Sequence, residues 1–237
     1  MRVLGLDSAT NVASVAIVED QKLLAEVTFN SKKNHSARLM PMLAWMLEEV
    51  QLTLDDLSGF AVAVGPGSFT GLRIGLATVK GLAHVKNKPV LAVPTLDGLA
   101  ANLEGNRGLI CPILNARKNE VYTALYRWDG SENRRLTNYM AVNLETLVAY
   151  IEKEGDEVTF LGDGVPVYQE TLLKMLPNAR FAPSSNAICR GAQIARLGLE
   201  KLERGEVADY YSLEPLYIRE SEAEVKWREK QQNGKED

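Results

Sequence analysis

The chain has 237 residues, of which 46% are hydrophobic and 24% charged, and its formal net charge is −4. These values are typical of a globular protein with one large or two small domains. The acidic balance disfavours unaided nucleic-acid binding, which normally needs a basic patch. No apolar run approaches the roughly 18 residues of a membrane span, and the N-terminus lacks a signal-peptide layout. The two cysteines, Cys111 and Cys189, indicate a reducing cytoplasm rather than a disulfide framework.

The first part of the chain predicts three strands, a helix and two strand–helix units. Alternating hydrophobicity predicts strands at 2–7, 12–18 and 23–29, followed by a helix from about Ser36 to Gln51. An apolar run at 60–64 predicts a buried strand, which leads through a glycine-rich turn into a helix that ends near Asn87. A strand at 90–93 and a helix at 95–104 complete this half.

The stretch 65–71 predicts a rigid turn from a strand into a helix. Its glycines permit unusual backbone angles, its proline stiffens the turn, and its two hydroxyls can cap the helix. The residues of this turn are Gly65, Pro66, Gly67, Ser68, Thr70 and Gly71. Such a turn can also bind an anion, but the residues Gly71-Leu72-Arg73 do not match Walker A, and no acidic residue follows at the dinucleotide spacing. A structural turn is the favoured interpretation, and phosphate binding is the alternative.

The helix after this turn is apolar on two sides. Leu72, Leu76, Val79 and Ala83 form a stripe that should face the protein's own sheet, because they recur at helical spacing. The opposite arc is small or apolar almost throughout, so the helix is either enclosed in its own domain or exposes a face for a partner. In the preceding helix, Met42 and Trp45 are predicted to lie off the core stripe. They suit a recognition surface, although single exposed apolar residues are also normal.

The order of elements then repeats after a boundary near Gly105. Strands are predicted at 109–114, 121–128, 136–142, 157–161 and 179–181, and helices at 143–154, 167–175 and from Ser184 or Ser185 to about Arg204. Two βββαβαβα halves are the plan of the ribonuclease-H-like, actin/sugar-kinase (ASKHA) superfamily. The sequence therefore predicts an α/β protein with subdomains at 1–105 and 106–218, and a charged tail at 219–237 that is helical or disordered.

In this plan a nucleotide binds between the halves, held by one turn from each half. Asp7, Ser8 and Thr10 supply an acid and two hydroxyls in the first turn, and are candidates for a residual nucleotide contact. The equivalent turn, 115–120, has no glycine and no acid before Glu120. A third segment, 161–164, is a possible nucleotide-contact loop or simply a turn, and the turn is favoured.

The sequence contains no pattern typical of a metal site or of a catalytic nucleophile. The two histidines, His35 and His84, lie in different elements, and neither has a second histidine four residues on. A helical two-histidine site or a zinc cysteine cluster is therefore not expected. The nucleophile elbow Gly-x-Ser-x-Gly is also absent, since Gly67-Ser68 is followed by Phe69-Thr70. No catalytic residue and no metal ligand are predicted.

Several motifs resemble the bacterial TsaB (YeaZ) family. They are the segments Leu4-Gly5-Leu6-Asp7-Ser8-Ala9-Thr10, His35-Ser36, Gly65-Pro66-Gly67-Ser68-Phe69-Thr70-Gly71-Leu72-Arg73-Ile74-Gly75, and Ala116-Arg117 with Glu120-Val121-Tyr122. The resemblance covers most of the chain, and the glycine-rich block is its most specific part. Asn115 departs from the pattern, because the family usually has an acid before Ala-Arg.

This resemblance implies a part in making the threonylcarbamoyl modification on the adenosine beside the anticodon of tRNAs that read codons starting with A. It implies a non-catalytic scaffold or activator that pairs through its N-terminal helices with a TsaD-type transferase, together with a TsaE-type P-loop ATPase. ATP or ADP and a metal ion would be bound by those partners rather than by this chain. Contact with tRNA would occur only through the complex, in the cytoplasm and without a membrane.

The expected partner contacts on the two helices are Met42, Trp45, Ile74, Gly75, Thr78 and Leu82. In the absence of the partner, the same apolar faces are expected to form a homodimer. The alternative is an ATP-binding enzyme of the ASKHA type, a kinase or a peptidase, that acts alone.

Overall fold

The computed structural model describes residues 1–31 and 34–219. It is an α/β fold with two mixed β-sheets that have equivalent strand orders. The tail predicted at 219–237 lies, apart from Arg219, outside the described residues, and so do Lys32 and Lys33. Among the described residues, no helix is long and apolar enough to span a membrane.

The first half follows the predicted βββαβαβα order. Its elements are β1 (Arg2–Asp7), β2 (Val12–Glu19), β3 (Lys22–Asn30), α1 (Leu39–Glu49), β4 (Gly59–Ala63), α2 (Phe69–Lys86), β5 (Val90–Val93) and α3 (Thr95–Ala100). The strands form a sheet in the order β3-β2-β1-β4-β5. β1 pairs antiparallel with β2 and parallel with β4, so the chain passes from hairpins to crossover helices at the centre of the sheet.

The second half repeats this plan with one added hairpin. Its elements are β6 (Leu109–Arg117), β7 (Glu120–Thr123), β8 (Tyr126–Trp128), β9 (Asn133–Arg135), β10 (Met140–Asn143), α4 (Leu144–Glu154), β11 (Val158–Leu161), α5 (Val165–Met175), β12 (Arg180–Phe181) and α6 (Gly191–Glu203). The sheet order is β10-β7-β6-β11-β12, with β8 and β9 attached beside β6. The strand predicted at 121–128 is interrupted, so that β7 pairs with β10 whereas β8 pairs with β9.

The last helix of each half packs across the boundary between the halves. α3 packs against β6, where Leu96 and Leu99 share a buried cluster with Ile110 and Leu114. α6 covers one face of the first sheet. The predicted unit 106–218 is therefore not self-contained, because its final helix belongs to the core of the first half.

Three glycines allow α6 to lie close against the first sheet. A Cβ at Gly5 would lie 2.3 Å from the backbone nitrogen of Ala195, and one at Gly198 would lie 2.4 Å from the Cβ of Ala61. Gly191 is similarly restricted by the backbone of β2. This close approach makes α6 a structural part of the first sheet.

The N-terminus of α6 is capped by residues from β2 and β3. The Ser14 hydroxyl accepts the N–H of Gly191 at 2.8 Å, and Glu26 Oε1 accepts the N–H of Ala192 at 3.1 Å. Glu26 also forms an ion pair with Arg190, the residue before the helix. The predicted caps, Ser184 and Ser185, are wrong, because the helix begins at Gly191 and its capping groups come from distant strands.

Candidate functional site

The glycine-rich turn at 65–71 packs against the turn between β1 and β2. Ser68 is the N-cap of α2, and its hydroxyl accepts the N–H of Gly71 at 3.2 Å. Thr70 lies inside the helix and is exposed, so its predicted capping role is wrong. The N–H of Ser68 donates to the Ala9 carbonyl at 2.6 Å. Two N–H groups that could hold an anion are therefore already hydrogen-bonded within the protein.

Glycines are needed in this turn because the two backbones nearly touch. A Cβ at Gly67 would lie 2.3 Å from the carbonyl oxygen of Ala9, and one at Gly71 would lie 2.1 Å from that of Ser8. Gly65 has a φ of 121°, and the Gly65–Pro66 peptide bond is cis. The turn thus fixes where α2 starts relative to β1.

The three candidate nucleotide residues are buried beneath this turn. Asp7 and Ser8 are each 1% exposed, and Thr10 is 7% exposed. Asp7 Oδ1 accepts the N–H of Ala9 at 2.9 Å, and the Ser8 hydroxyl donates to the Gly71 carbonyl at 2.9 Å. Burial raises the pKa of Asp7 to about 6, and the hydrogen bond from Ala9 partly offsets this rise. Burial also raises the pKa of the Cys189 thiol, and the nearby carboxylates of Asp7 and Asp163 raise it further.

The second turn of the cleft between the halves is equally occupied by internal contacts. Asp163 Oδ1 accepts the N–H of Asn115 at 3.0 Å, and Asn115 Oδ1 accepts the N–H of Arg117 at 3.0 Å. A Cβ at Gly162 would lie 2.3 Å from the Ile113 carbonyl oxygen, so segment 161–164 packs directly on β6. Within the described ranges, no three His, Cys, Asp or Glu residues are grouped as a metal site.

Asp7→Asn is expected to stabilise the protein at neutral pH. The pKa of Asp7 is about 6 in the fold against 3.8 ordinarily, so the folded state holds a proton more tightly than the unfolded state. The contribution of the wild-type carboxyl is therefore fully present below pH 3.8 and is lost as pH rises to about 6, by about 3 kcal/mol. Asparagine keeps an acceptor for Ala9 without ionising. Urea unfolding from pH 4.5 to 8 should show the advantage of the variant growing with pH, and a pH-independent difference would contradict this account.

The outer face of α1 carries the exposed part of the candidate docking surface. Trp45 is 54% exposed, and Met40 is also exposed on this helix. Met42 is only 5% exposed and belongs to the core cluster with Leu39 and Leu43. Its predicted position off the core stripe is therefore wrong.

On α2, the glycine predicted to contact a partner is not on the outer face. Gly75 is buried, and a Cβ there would lie 2.4 Å from Ser8 Oγ and 3.0 Å from Leu6 Cδ2. The expected partner contact at Gly75 is therefore wrong, because this residue faces β1. Gly81, by contrast, is exposed, and a Cβ there would have no atom within 4 Å.

The other predicted contact positions on α2 lie at the edge of its outer face. Ile74, Thr78 and Leu82 are half-buried, and Ile74 and Leu82 also pack against the core cluster. The exposed residues of the outer face are Ala77, Gly81 and Val85. Because α1 and α2 pack on the same side of the first sheet through one core cluster, their outer faces point away from it together. We call this exposed apolar surface, formed by Trp45 on α1 and by Ala77, Gly81 and Val85 on α2, the docking face.

The third side of α2 is covered by the C-terminal segment 207–219, which sequence reasoning missed. The Tyr217 ring stacks on Phe69 with centroids 4.9 Å apart, and Arg73 Nε donates to the Tyr217 hydroxyl at 3.0 Å. His84 lies 3.3 Å from the Tyr210 hydroxyl. The segment thus covers part of the polar side of α2, which carries Arg73 and His84. The surplus of tyrosines at 210–217 was the available signal.

The other histidine, His35, joins the loop before α1 to the β1–β2 turn. Its Nε2 lies 2.8 Å from the Thr10 carbonyl oxygen. A cavity of about 330 Å³ opens beside it, lined mainly by hydroxyl and amide side chains and by Ile74. His35 therefore fixes the start of the α1 segment against the first half.

Comparison with known proteins agrees with this fold. A family model described as TsaD, tRNA N6-adenosine threonylcarbamoyltransferase, matches residues 22–227. The tRNA threonylcarbamoyladenosine biosynthesis protein TsaB of Bacillus subtilis is 34% identical over 232 residues, which are 98% of this chain and 100% of that protein.

Solved structures give the same result at the level of the fold. YeaZ from Pseudomonas aeruginosa is 25% identical, with a TM-score of 0.75, covering 91% of this chain and 99% of that chain. A ROK hexokinase from Thermus thermophilus is 12% identical, with a TM-score of 0.51, covering 86% of this chain and all of the other. The hexokinase shares the fold alone.

The equivalent strand orders of the two halves and the likeness to the hexokinase show the predicted ASKHA-type fold. Within that class, the chain belongs to the TsaB (YeaZ) family, and the resemblance seen in its motifs is confirmed.

Proposed function

We propose that this protein is a non-catalytic scaffold or activator of a TsaD-type transferase in tRNA threonylcarbamoyladenosine biosynthesis. The observation that carries this proposal is the docking face, where Trp45 and Val85 are 54% and 77% exposed on two adjacent helices. An apolar surface of this kind is typical of a protein–protein interface. The TsaB relatives are named for the same pathway.

The condition of the cleft supports a role without catalysis. Asp7 and Ser8 are buried and hydrogen-bonded to the protein itself, and the Asn115 turn is closed by Asp163. A nucleotide would have to displace these contacts before it could be bound. We therefore propose that ATP or ADP and the metal ion are bound by the partner proteins.

The further partners are those that the family resemblance implies. We propose a heterodimer with the transferase through α1 and α2, joined by a TsaE-type P-loop ATPase, with tRNA bound only by the complex. Alone, two copies of the chain would pair through the same face. The protein would act in the cytoplasm, consistent with Cys111 and Cys189, which are both free thiols.

Reconstitution of tRNA modification tests this function directly. Purified transferase, ATPase, threonylcarbamoyl-adenylate supply and tRNA are combined with and without this chain, and modified adenosine is measured by mass spectrometry. We expect modification only with the chain present, and association with the transferase by calorimetry. An ATPase or peptidase activity of the chain alone that is lost in Asp7→Ala would instead favour the independent-enzyme alternative.

A further inference from the structure

The segment 207–219 runs along the first sheet after α6 ends. The N–H of Ala208 donates to the Val90 carbonyl at 2.8 Å, and the N–H of Leu216 donates to the Val64 carbonyl at 2.7 Å. Leu213 and Leu216 pack against the core cluster of the first half. A Cβ at Gly65 would lie 2.7 Å from the Leu216 carbonyl oxygen. The segment is therefore fitted closely to the turn from which α2 starts.

Beyond Leu216 the segment holds the first turn of α2. Tyr217 stacks on Phe69, the first residue of that helix, with centroids 4.9 Å apart. The Arg73 guanidinium lies over the Phe69 ring, 3.9 Å from its centre. The same guanidinium donates a hydrogen bond to the Tyr217 hydroxyl. Aromatic and cation contacts of this kind order both partners.

Two residues later the segment reaches the second half of the protein. Arg219 forms an ion pair with Glu120, the first residue of β7, and both side chains are about one-third exposed. Glu120 follows the turn between β6 and β7, where Arg117, Lys118 and Asn119 all have φ values between 51° and 64°. Three consecutive left-handed non-glycine residues are costly and need support from their surroundings. The ion pair joins the end of this hairpin turn to the segment that packs on the first sheet.

We propose that segment 207–219 is a clasp that couples the first turn of α2 to the β6–β7 hairpin, and hence partner docking to the cleft between the halves. The clasp contacts α2 through Tyr217 and the hairpin through Arg219, which are only two residues apart. A shift of α2 would therefore be transmitted to the hairpin over a path of only a few residues. The part of this proposal that concerns partner docking rests on the proposed function. The coupling between α2 and the hairpin is a property of the free chain.

Hydrogen exchange in the free chain tests the coupling. Glu120→Gln removes the ion pair at the hairpin, and we expect the amides of Gly71 and Leu72 at the start of α2 to exchange about fivefold faster. Because coupling is reciprocal, Tyr217→Ala should accelerate exchange in β7 by a similar factor. Tyr217→Phe keeps the stacked ring and should have a smaller effect. Arg180→Gln, which removes the exposed Arg180–Glu157 ion pair of the second half, should leave α2 unchanged.

The outcomes separate the coupling from the docking. If Glu120→Gln affects only the hairpin and Tyr217→Ala affects only α2, the clasp proposal is overturned. Adding the transferase to the wild-type chain should slow amide exchange in both α2 and β7. In Glu120→Gln, the transferase should still slow exchange in α2 but should no longer slow it in β7. Equal protection of β7 in the variant and the wild type would also overturn the clasp. Absence of transferase binding would count against the proposed function and would leave the free-chain result as it stands.

Discussion

Gly75→Ala is expected to lower the free energy of unfolding by about 1–3 kcal/mol, the usual cost of adding a methyl group to a filled core. The new Cβ would lie 2.4 Å from Ser8 Oγ. Ser8 has little freedom to move aside, because it is 1% exposed and its hydroxyl donates to the Gly71 carbonyl. α2 would have to shift away from β1, or Ser8 would have to give up its hydrogen bond. Urea denaturation followed by circular dichroism measures this loss.

Gly81→Ala in the same helix is the matched control. Nothing lies within 4 Å of a Cβ at Gly81, so alanine should stabilise the helix by about 0.5–1 kcal/mol. The two substitutions make the same chemical change six residues apart in one helix. Their effects on the free energy of unfolding should have opposite signs. A stabilising effect of Gly75→Ala would contradict the burial of this residue against β1.

Trp45→Ala is expected to weaken association with the transferase by about 2 kcal/mol or more, which is roughly 30-fold in the dissociation constant. Trp45 is 54% exposed, so its side chain contributes little to the core and much to the docking face. Gly81→Leu should weaken binding as well, because the leucine side chain would project from the docking face at a position where the wild-type helix has no side chain. Calorimetric titration of the transferase measures both effects, and thermal unfolding of the free chain checks that the fold is retained.

Tyr150→Ala provides the comparison for an exposed aromatic residue outside the docking face. Tyr150 is 42% exposed on α4 in the second half, and its loss should leave the affinity for the transferase unchanged. If Trp45→Ala and Gly81→Leu bind as tightly as the wild type, α1 and α2 do not form the interface. If Tyr150→Ala is the weaker binder, the interface lies on the second half.

The fold was predictable from the sequence because its signals are local. Buried strands, the Ser68 cap and the repeated order of elements depend on residues close together in the chain, and the structure confirms them. The turn at 65–71 was likewise predictable as a structural turn, because three glycines and a proline restrict what else it can form.

The two misplaced docking residues share one physical cause. At 100° per residue, Met42 and Gly75 each lie about 40° beyond the nearest residue of the predicted core stripe of their helix, at the border of the face that the sheet covers. The face that each helix buries is therefore wider than the predicted stripe, and it includes residues on the border of that stripe. On the same wheel, Gly81 lies about 180° from the core and is the residue that the structure leaves open.

Contacts between distant parts of the chain carried no local signal. Glu26 and Arg190 are 164 residues apart, and nothing in either segment indicates that a strand residue caps a helix of the other half. Such pairs are specified by the packing of whole elements, which a single sequence does not display.

The position of α6 has a consequence for how the protein is made. The last strand of the first sheet ends at Val93, whereas the helix that covers one face of that sheet ends at Glu203, about 110 residues later. At about 5–20 residues per second, a ribosome needs roughly 6 to 22 s to synthesise the intervening chain. During this interval the side of the sheet that α6 will cover remains open, with Val3 and Ala61 lacking their eventual partners. The nascent first half is therefore a candidate for chaperone binding, and its folding is completed only when the end of the second half emerges.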